Sequence, residues 1–247
     1  SPKPVILYNV PSRTGVNIEP ATYAALADHP HIAAIKEAGG NISQIVETVA
    51  LTQGQLDLYS GKLVNAQTGR EGNGGVVFIN SDAQFNMYGG QVDASKTTTT
   101  TAAGGAICNY GILNIYGGTV LGGSAKNGGA LQNAAGAVAN ISGGMIYGGY
   151  AASRGGNINN NGQLNISGGV ITGGTTALTG DVRGGNIFSV TSDSESPAVL
   201  NISGGIIEDG RALKYNNANT SARGGNLFVA RKFGCYFFYT FLCFSTK

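Results

Sequence analysis

Two hydrophobic periods run along this chain, and one replaces the other near residue 61. Before that point the apolar residues form short continuous runs, "PVILYNV" (4–10) and "IAAIKEA" (32–38), as expected of strands buried on both faces. A third strand is predicted over "LDLYSG" (56–61). Between the runs, "EPATYAALAD" (19–28) predicts a helix with Pro20 at its first position and "HP" (29–30) as its stop. A second helix is predicted over "GGNISQIVETVALTQG" (39–54), where Asn41 and Gln44 stand at capping-box spacing. The order strand–helix–strand–helix–strand, with short connections, predicts a parallel sheet with right-handed crossovers.

After residue 61 the pattern alternates. In "ILNIYGGTVLGG" (112–123) the apolar Leu113 and Ile115 alternate with Asn114 and Tyr116, and Val120 resumes the apolar face beyond a glycine pair. Runs this short, broken by glycine, do not form helices. The phrase recurs as "NMYGGQV" (86), "NIYGGTV" (114), "NISGGMI" (140), "NISGGVI" (165) and "NISGGII" (201), at steps of 28, 26, 25 and 36 residues. A companion phrase accompanies it, as in "GGAICNYG" (104), "GGALQNAAG" (128) and "GGNINNNG" (155). Repeats on this scale mark a solenoid. Stacked turns about 4.8 Å apart would superimpose like residues, with Ile and Leu in a shared core and asparagines in ladders at the corners. The expectation is a parallel β-helix of about five or six rungs.

Composition divides the chain at the same place. Residues 1–61 hold 5 of the 41 glycines and 5 of the 6 prolines, with 3 basic and 5 acidic residues. The overall formal charge of +2 is too balanced to indicate nucleic acid or an anionic membrane as partner. Cys108, Cys235 and Cys243 make neither an even disulfide framework nor a zinc spacing, and Cys108 in "AICNYG" suits a buried small apolar position. No run reaches the roughly 18 apolar residues of a membrane helix. The start, "SPKPVILYNV", shows no secretory signal pattern and reads as a fragment beginning partway through a domain.

The candidate chemistry is in the first part. Tyr8 and Lys36 fall at the C-terminal ends of neighbouring predicted strands, where α/β barrels build their sites. Burial there would favour a neutral lysine amine, the nucleophile that attacks a ketone to form an imine. Tyr8 offers a hydroxyl for the accompanying proton transfers, and Arg13 offers a planar fork for a carboxylate. Each has a plain alternative: a lysine reaching solvent, a core tyrosine, a solvated loop arginine. His29 and His31 flank a proline in a loop with no third metal ligand nearby.

"YNVPSRTG" (8–15) followed by "IKEAGGN" (35–41) resembles dihydrodipicolinate synthase, of the pyruvate-dependent Schiff-base aldolase and lyase superfamily. The resemblance implies a (β/α)8 barrel that condenses pyruvate with aspartate semialdehyde on the way to lysine and diaminopimelate. It implies no cofactor and no metal. It makes Lys36 the imine-forming lysine, Tyr8 the proton-relay tyrosine and Arg13 the carboxylate-binding arginine, with pyruvate as partner. It covers residues 1–61 only, whereas a barrel takes roughly 250 residues. The strands expected to complete the proton relay are therefore missing, and the chain is expected to be a chimeric or truncated one whose motifs are inactive.

The glycine-rich part resembles the repeat regions of bacterial cell-surface proteins, which implies an adhesin-like structural module as the alternative function. The resulting expectation is a barrel fragment over 1–61, a junction over 62–73, β-helix repeats over 74–229 and an aromatic tail over 230–247. Insertions at 93–103, 189–199 and 211–222 would emerge as loops, the natural places for cell-surface ligands. The "NIS" triplets at 41, 140, 165 and 201 fit an N-glycosylation pattern but fall at a helix start or inside predicted strands. Compartment is not fixed, because the first family is cytoplasmic and the second belongs to the cell surface.

Overall fold

Parallel strands dominate the computed structural model, which describes residues 3–27, 29–41, 44, 45, 48, 55–64, 75–95, 103–178, 181–191, 196–214 and 221–231. The N-terminal unit begins with strand β1 (Val5–Asn9), followed by the one-turn helix α1 (Pro11–Thr14) and helix α2 (Pro20–Leu26). Strand β2 (Ile32–Glu37) then pairs parallel with β1, placing Tyr8 opposite Lys36 and Asn9 opposite Glu37. Pro20 sits in the first turn of α2, as the sequence pattern predicts, while Pro11 opens a helical turn, α1, where a loop holding Arg13 is expected. Of the second predicted helix, Gln44, Ile45 and Thr48 are helical; most of its remainder lies outside the described residues. Asn41 caps it, its side-chain oxygen accepting from the Gln44 amide at 3.3 Å.

The third predicted strand does not join β1 and β2. Strand β3 (Gln55–Leu58) instead pairs in register with Gln84–Met87, and β4 (Lys62–Val64) with Gln91–Asp93. The expected junction at 62–73 is therefore strand at its start, and the solenoid begins at 55 rather than 74. The physical reason lies in the pattern itself. "LDLYSGKLV" (56–64) superimposes on "FNMYGGQVD" (85–93), with Leu56, Leu58 and Leu63 on Phe85, Met87 and Val92 and turn on turn. Asp57 occupies the asparagine position and accepts from Asn86 Nδ2 at 2.7 Å.

Six rungs stack among the described residues, forming three continuous six-stranded sheets and a fourth sheet interrupted by the insertions. The first sheet runs from β3 through 84–87, 112–115, 138–141 and 163–166 to 199–202. The second runs from β4 through 91–93, 119–121, 145–147 and 170–172 to 206–208, and the third from 77–79 to 227–231. Register keeps like above like: Asn86, Asn114, Asn140, Asn165 and Asn201 form one column. Phe85, Leu113, Ile115, Ile141, Leu164 and Ile166 face inward into one core with Val120, Ile146, Leu131 and Ile158. The glycine pair turns the chain between first and second sheets. Gly118 has φ +84°, and a Cβ on Gly117 would stand 2.6 Å from the Tyr88 carbonyl of the rung below.

Three sets of side chains show how closely the rungs superimpose. The asparagine column is a hydrogen-bond ladder in mid-strand, each Nδ2 donating to the Oδ1 of the preceding rung at 2.7–2.8 Å. A second ladder lies at a corner, Asn109 donating to Asn133, Asn133 to Asn160 and Asn160 to Ser189, in the opposite direction. Outside, the rings of Tyr59, Tyr88 and Tyr116 stack with centroids 4.6 and 4.8 Å apart.

The insertions depart partly from expectation. Arg211–Lys214 and Ala222–Arg223 are strands of the fourth sheet rather than an emergent loop. The central parts of all three insertions, and the aromatic tail from 232, lie outside the described residues, as do Cys235 and Cys243. Among the described residues no helix is long and apolar enough to cross a membrane.

Candidate functional site

The β1–β2 ladder presents different chemistry on its two faces, because neighbouring residues alternate sides. One face carries Tyr8 and Lys36, with the Lys36 ammonium 4.4 Å from the centre of the Tyr8 ring in a cation–π contact. Both are exposed, Tyr8 by 48%. Arg13 lies in α1, five residues beyond Tyr8, and is exposed as well. The burial expected around Lys36 is thus not met. Val5, Ile6 and Ile35 are also open, because among the described residues the sheet has two strands and no third beside them. The prediction of strands buried on both faces fails for the same reason.

At the C-terminal ends of the two strands the opposite face is closed by polar side chains. Asn9, 1% exposed, donates to both Glu37 carboxylate oxygens (3.0 and 2.9 Å) and to Asn17 Oδ1, while its own Oδ1 accepts from the Ile18 amide. Tyr23 donates its hydroxyl to Glu37 at 3.1 Å, and the Gly39 amide donates to the same carboxylate at 2.7 Å. Gln44 joins through Asn17 and the Ile18 carbonyl. Burial, and then the Glu37 charge and hydrogen bond, push the Tyr23 phenol well above its usual range. These residues clamp the C-terminal ends of β1 and β2 to the loops that follow them. They position Tyr8 and Lys36 from behind and leave the exposed face to any reactant.

Sequence reasoning named Tyr8 and Lys36 and passed over this clamp. The available signal was alternation: each clamp residue, Asn9 and Glu37, immediately follows a candidate site residue and so points to the other side. Among the described residues no group of three His, Cys, Asp or Glu side chains is arranged for a metal ion.

With that geometry in view, comparison with known proteins finds the same likeness. The dihydrodipicolinate synthetase family model matches residues 1–92. A 4-hydroxy-tetrahydrodipicolinate synthase of Clostridium novyi (strain NT) is 59% identical over 58 residues, 24% of this chain and 20% of the relative. The 4-hydroxy-tetrahydrodipicolinate synthase 1 of Clostridium acetobutylicum has the same identity and coverage, and that of Leptospira biflexa is 51% identical over 61 residues, 25% and 21% of the two chains. The chain thus spans about a fifth of the length of these curated relatives. No solved structure matches it. The N-terminal part is thus similar to dihydrodipicolinate synthases, and the family match runs on to residue 92, into strands that here belong to the solenoid.

Proposed function

We propose that the chain joins a fragment of a pyruvate-condensing barrel to an adhesin-like surface solenoid, and that the solenoid is its working part. In this reading residues 1–61 descend from a 4-hydroxy-tetrahydrodipicolinate synthase, and the last of them, from 55, are taken into the solenoid. Lys36 is the relic of an imine-forming lysine, Tyr8 of its proton relay and Arg13 of its pyruvate carboxylate site. The observation that carries the loss of catalysis is the openness of the Lys36 face. The next strand in sequence pairs with the solenoid, so nothing from it walls the amine off from water. Imine chemistry needs an amine held in a dry, pre-organised pocket, and a solvated ammonium over a tyrosine ring is a poor nucleophile.

Pyruvate followed by borohydride, with mass spectrometry of the Lys36 peptide, tests this. The reading expects unmodified Lys36 at saturating pyruvate. A stoichiometric reduced adduct on Lys36, lost in Lys36→Arg, would overturn it and make the fragment a working imine site.

A further inference from the structure

The fourth sheet of the solenoid differs in charge from the other three. Its strands, Ser124–Asn127, Tyr150–Arg154, Thr175–Leu178, Val182–Arg183, Arg211–Lys214 and Ala222–Arg223, carry Lys126, Arg154, Arg183, Arg211, Lys214 and Arg223 and no acidic residue. The strands of the other three sheets carry Lys62 and Arg231 against Asp57, Asp93 and Glu208. Among the described strands of the solenoid, cationic residues are therefore concentrated in the fourth sheet.

Within that sheet, register sets three arginines in line. Arg154 pairs with Arg183, and Arg183 with Arg223, one per rung along the solenoid axis. Like charges directly opposite one another in neighbouring strands are unfavourable, so the column calls for counter-charge. Two of its guanidinium groups lie over aromatic rings, Arg154 over Phe188 at 5.3 Å and Arg183 over Phe228 at 5.4 Å, and those two rings are parallel to within 1°. Such stacking fixes the planar forks while leaving their edges to accept a carboxylate. One carboxylate is already there: Asp181 accepts from Arg183 Nη2 at 2.8 Å and is itself held by the Ser221 amide and hydroxyl. Among the described residues Arg154 and Arg223 have no carboxylate partner, and the buried Arg183 Nε has no acceptor.

The geometry points to a binding track for a linear acidic polysaccharide, laid along the solenoid axis with its uronate carboxylates on Arg154, Arg183 and Arg223. A carboxylate is the anion the column already takes from within its own chain. A flexible polymer with one carboxylate per sugar can follow a straight row of single charges. Duplex DNA, with a charge per roughly 1.7 Å of axis on two winding strands, cannot. This deepens the reading of the solenoid as a surface module, and its failure would leave the borohydride result on Lys36 unaffected.

The test is binding of the full-length chain to polygalacturonate, with dextran as uncharged control and duplex DNA and phosphatidylserine vesicles as competing polyanions. The track predicts saturable polygalacturonate binding that weakens as salt rises, and at least a ~10-fold loss in R154Q/R223Q. Lys62→Gln, in the second sheet, should bind as wild type. Asp181→Asn should bind more tightly, because it frees the Arg183 fork; this gain requires a folded chain and so guards against a variant that merely unfolds. Absence of polygalacturonate binding at low salt, unchanged binding in R154Q/R223Q, or tighter binding to DNA or vesicles would each overturn the proposal.

Discussion

Replacing Asn140 by alanine cuts the mid-strand ladder at its centre, and its cost can be worked from the contacts. Asn140 donates to Asn114 Oδ1 and accepts from Asn165 Nδ2, both at 2.7 Å. The substitution removes two side-chain hydrogen bonds, each worth about 1 kcal/mol net. It also strands Asn114 Oδ1, on a residue 8% exposed, which adds about 1 kcal/mol of unrecovered desolvation. The sum is about 2–3 kcal/mol. Asn201→Ala at the last rung breaks a single 2.8 Å bond to Asn165 at an exposed position and should cost about 0.5–1 kcal/mol. With a guanidinium slope of roughly 4 kcal/mol/M, the midpoints fall by about 0.6 M and about 0.2 M. Stacked repeats need not unfold in one step, so hydrogen exchange at 112–115 and 163–166 provides the local reading. It should accelerate in Asn140→Ala in both neighbouring strands. Equal midpoint losses for the two variants, or exchange that changes on one side only, would refute the ladder argument.

Three further outcomes follow from the same contacts. Leu113→Ala, at a side chain with no exposed surface, should destabilise the solenoid by about 3 kcal/mol, and a midpoint within error of wild type would contradict the single shared core. Burial pushes the Cys108 thiol up to about 12, so native protein at pH 8 should leave Cys108 unalkylated while denatured protein is labelled there; native labelling would place it at the surface. Asp181 is held below its ordinary range, chiefly by the Ser221 amide and hydroxyl, with Arg183 adding to them. A depressed carboxylate contributes stability above about pH 4 that is lost as pH falls through its native value. Exchange at 182–183 and 221–223 should therefore rise under acid, and Asp181→Asn should remove that rise; identical pH profiles would refute the link.

How far the sequence could be read depended on where each pattern was repeated. Leu113, Asn114 and Ile115 predict an inward–outward–inward strand, and five copies of the phrase make the stacking and the asparagine column legible. The first copy escaped because it is disguised. Asp57 replaces the ladder asparagine and Ser60 the first glycine of the pair, while "LDLYSG" also satisfies the pattern of a buried barrel strand. A pattern that fits two folds is assigned by its neighbours in space. Six residues of local sequence cannot choose between pairing with β2 and pairing with 84–87. The exposure of Lys36 was hidden for the same reason, since burial of β2 depends on strands that its own residues do not specify. The Asn9–Glu37–Tyr23 clamp links positions 14 and 28 apart through side-chain geometry, which leaves no periodic trace.

The central claim is that residues 55–64 are the first rung of the solenoid and not the third strand of the N-terminal sheet. Native-state hydrogen exchange followed peptide by peptide tests it most directly, since Leu58 and Gly61 carbonyls accept from the Tyr88 and Gln91 amides. The account predicts that 55–64 and 84–93 are protected together and open together as denaturant is added, with 5–9 and 32–37 exchanging separately and sooner. Protection of 55–64 that follows 32–37, with 84–93 unaffected, would contradict it and return the strand to the side of Lys36.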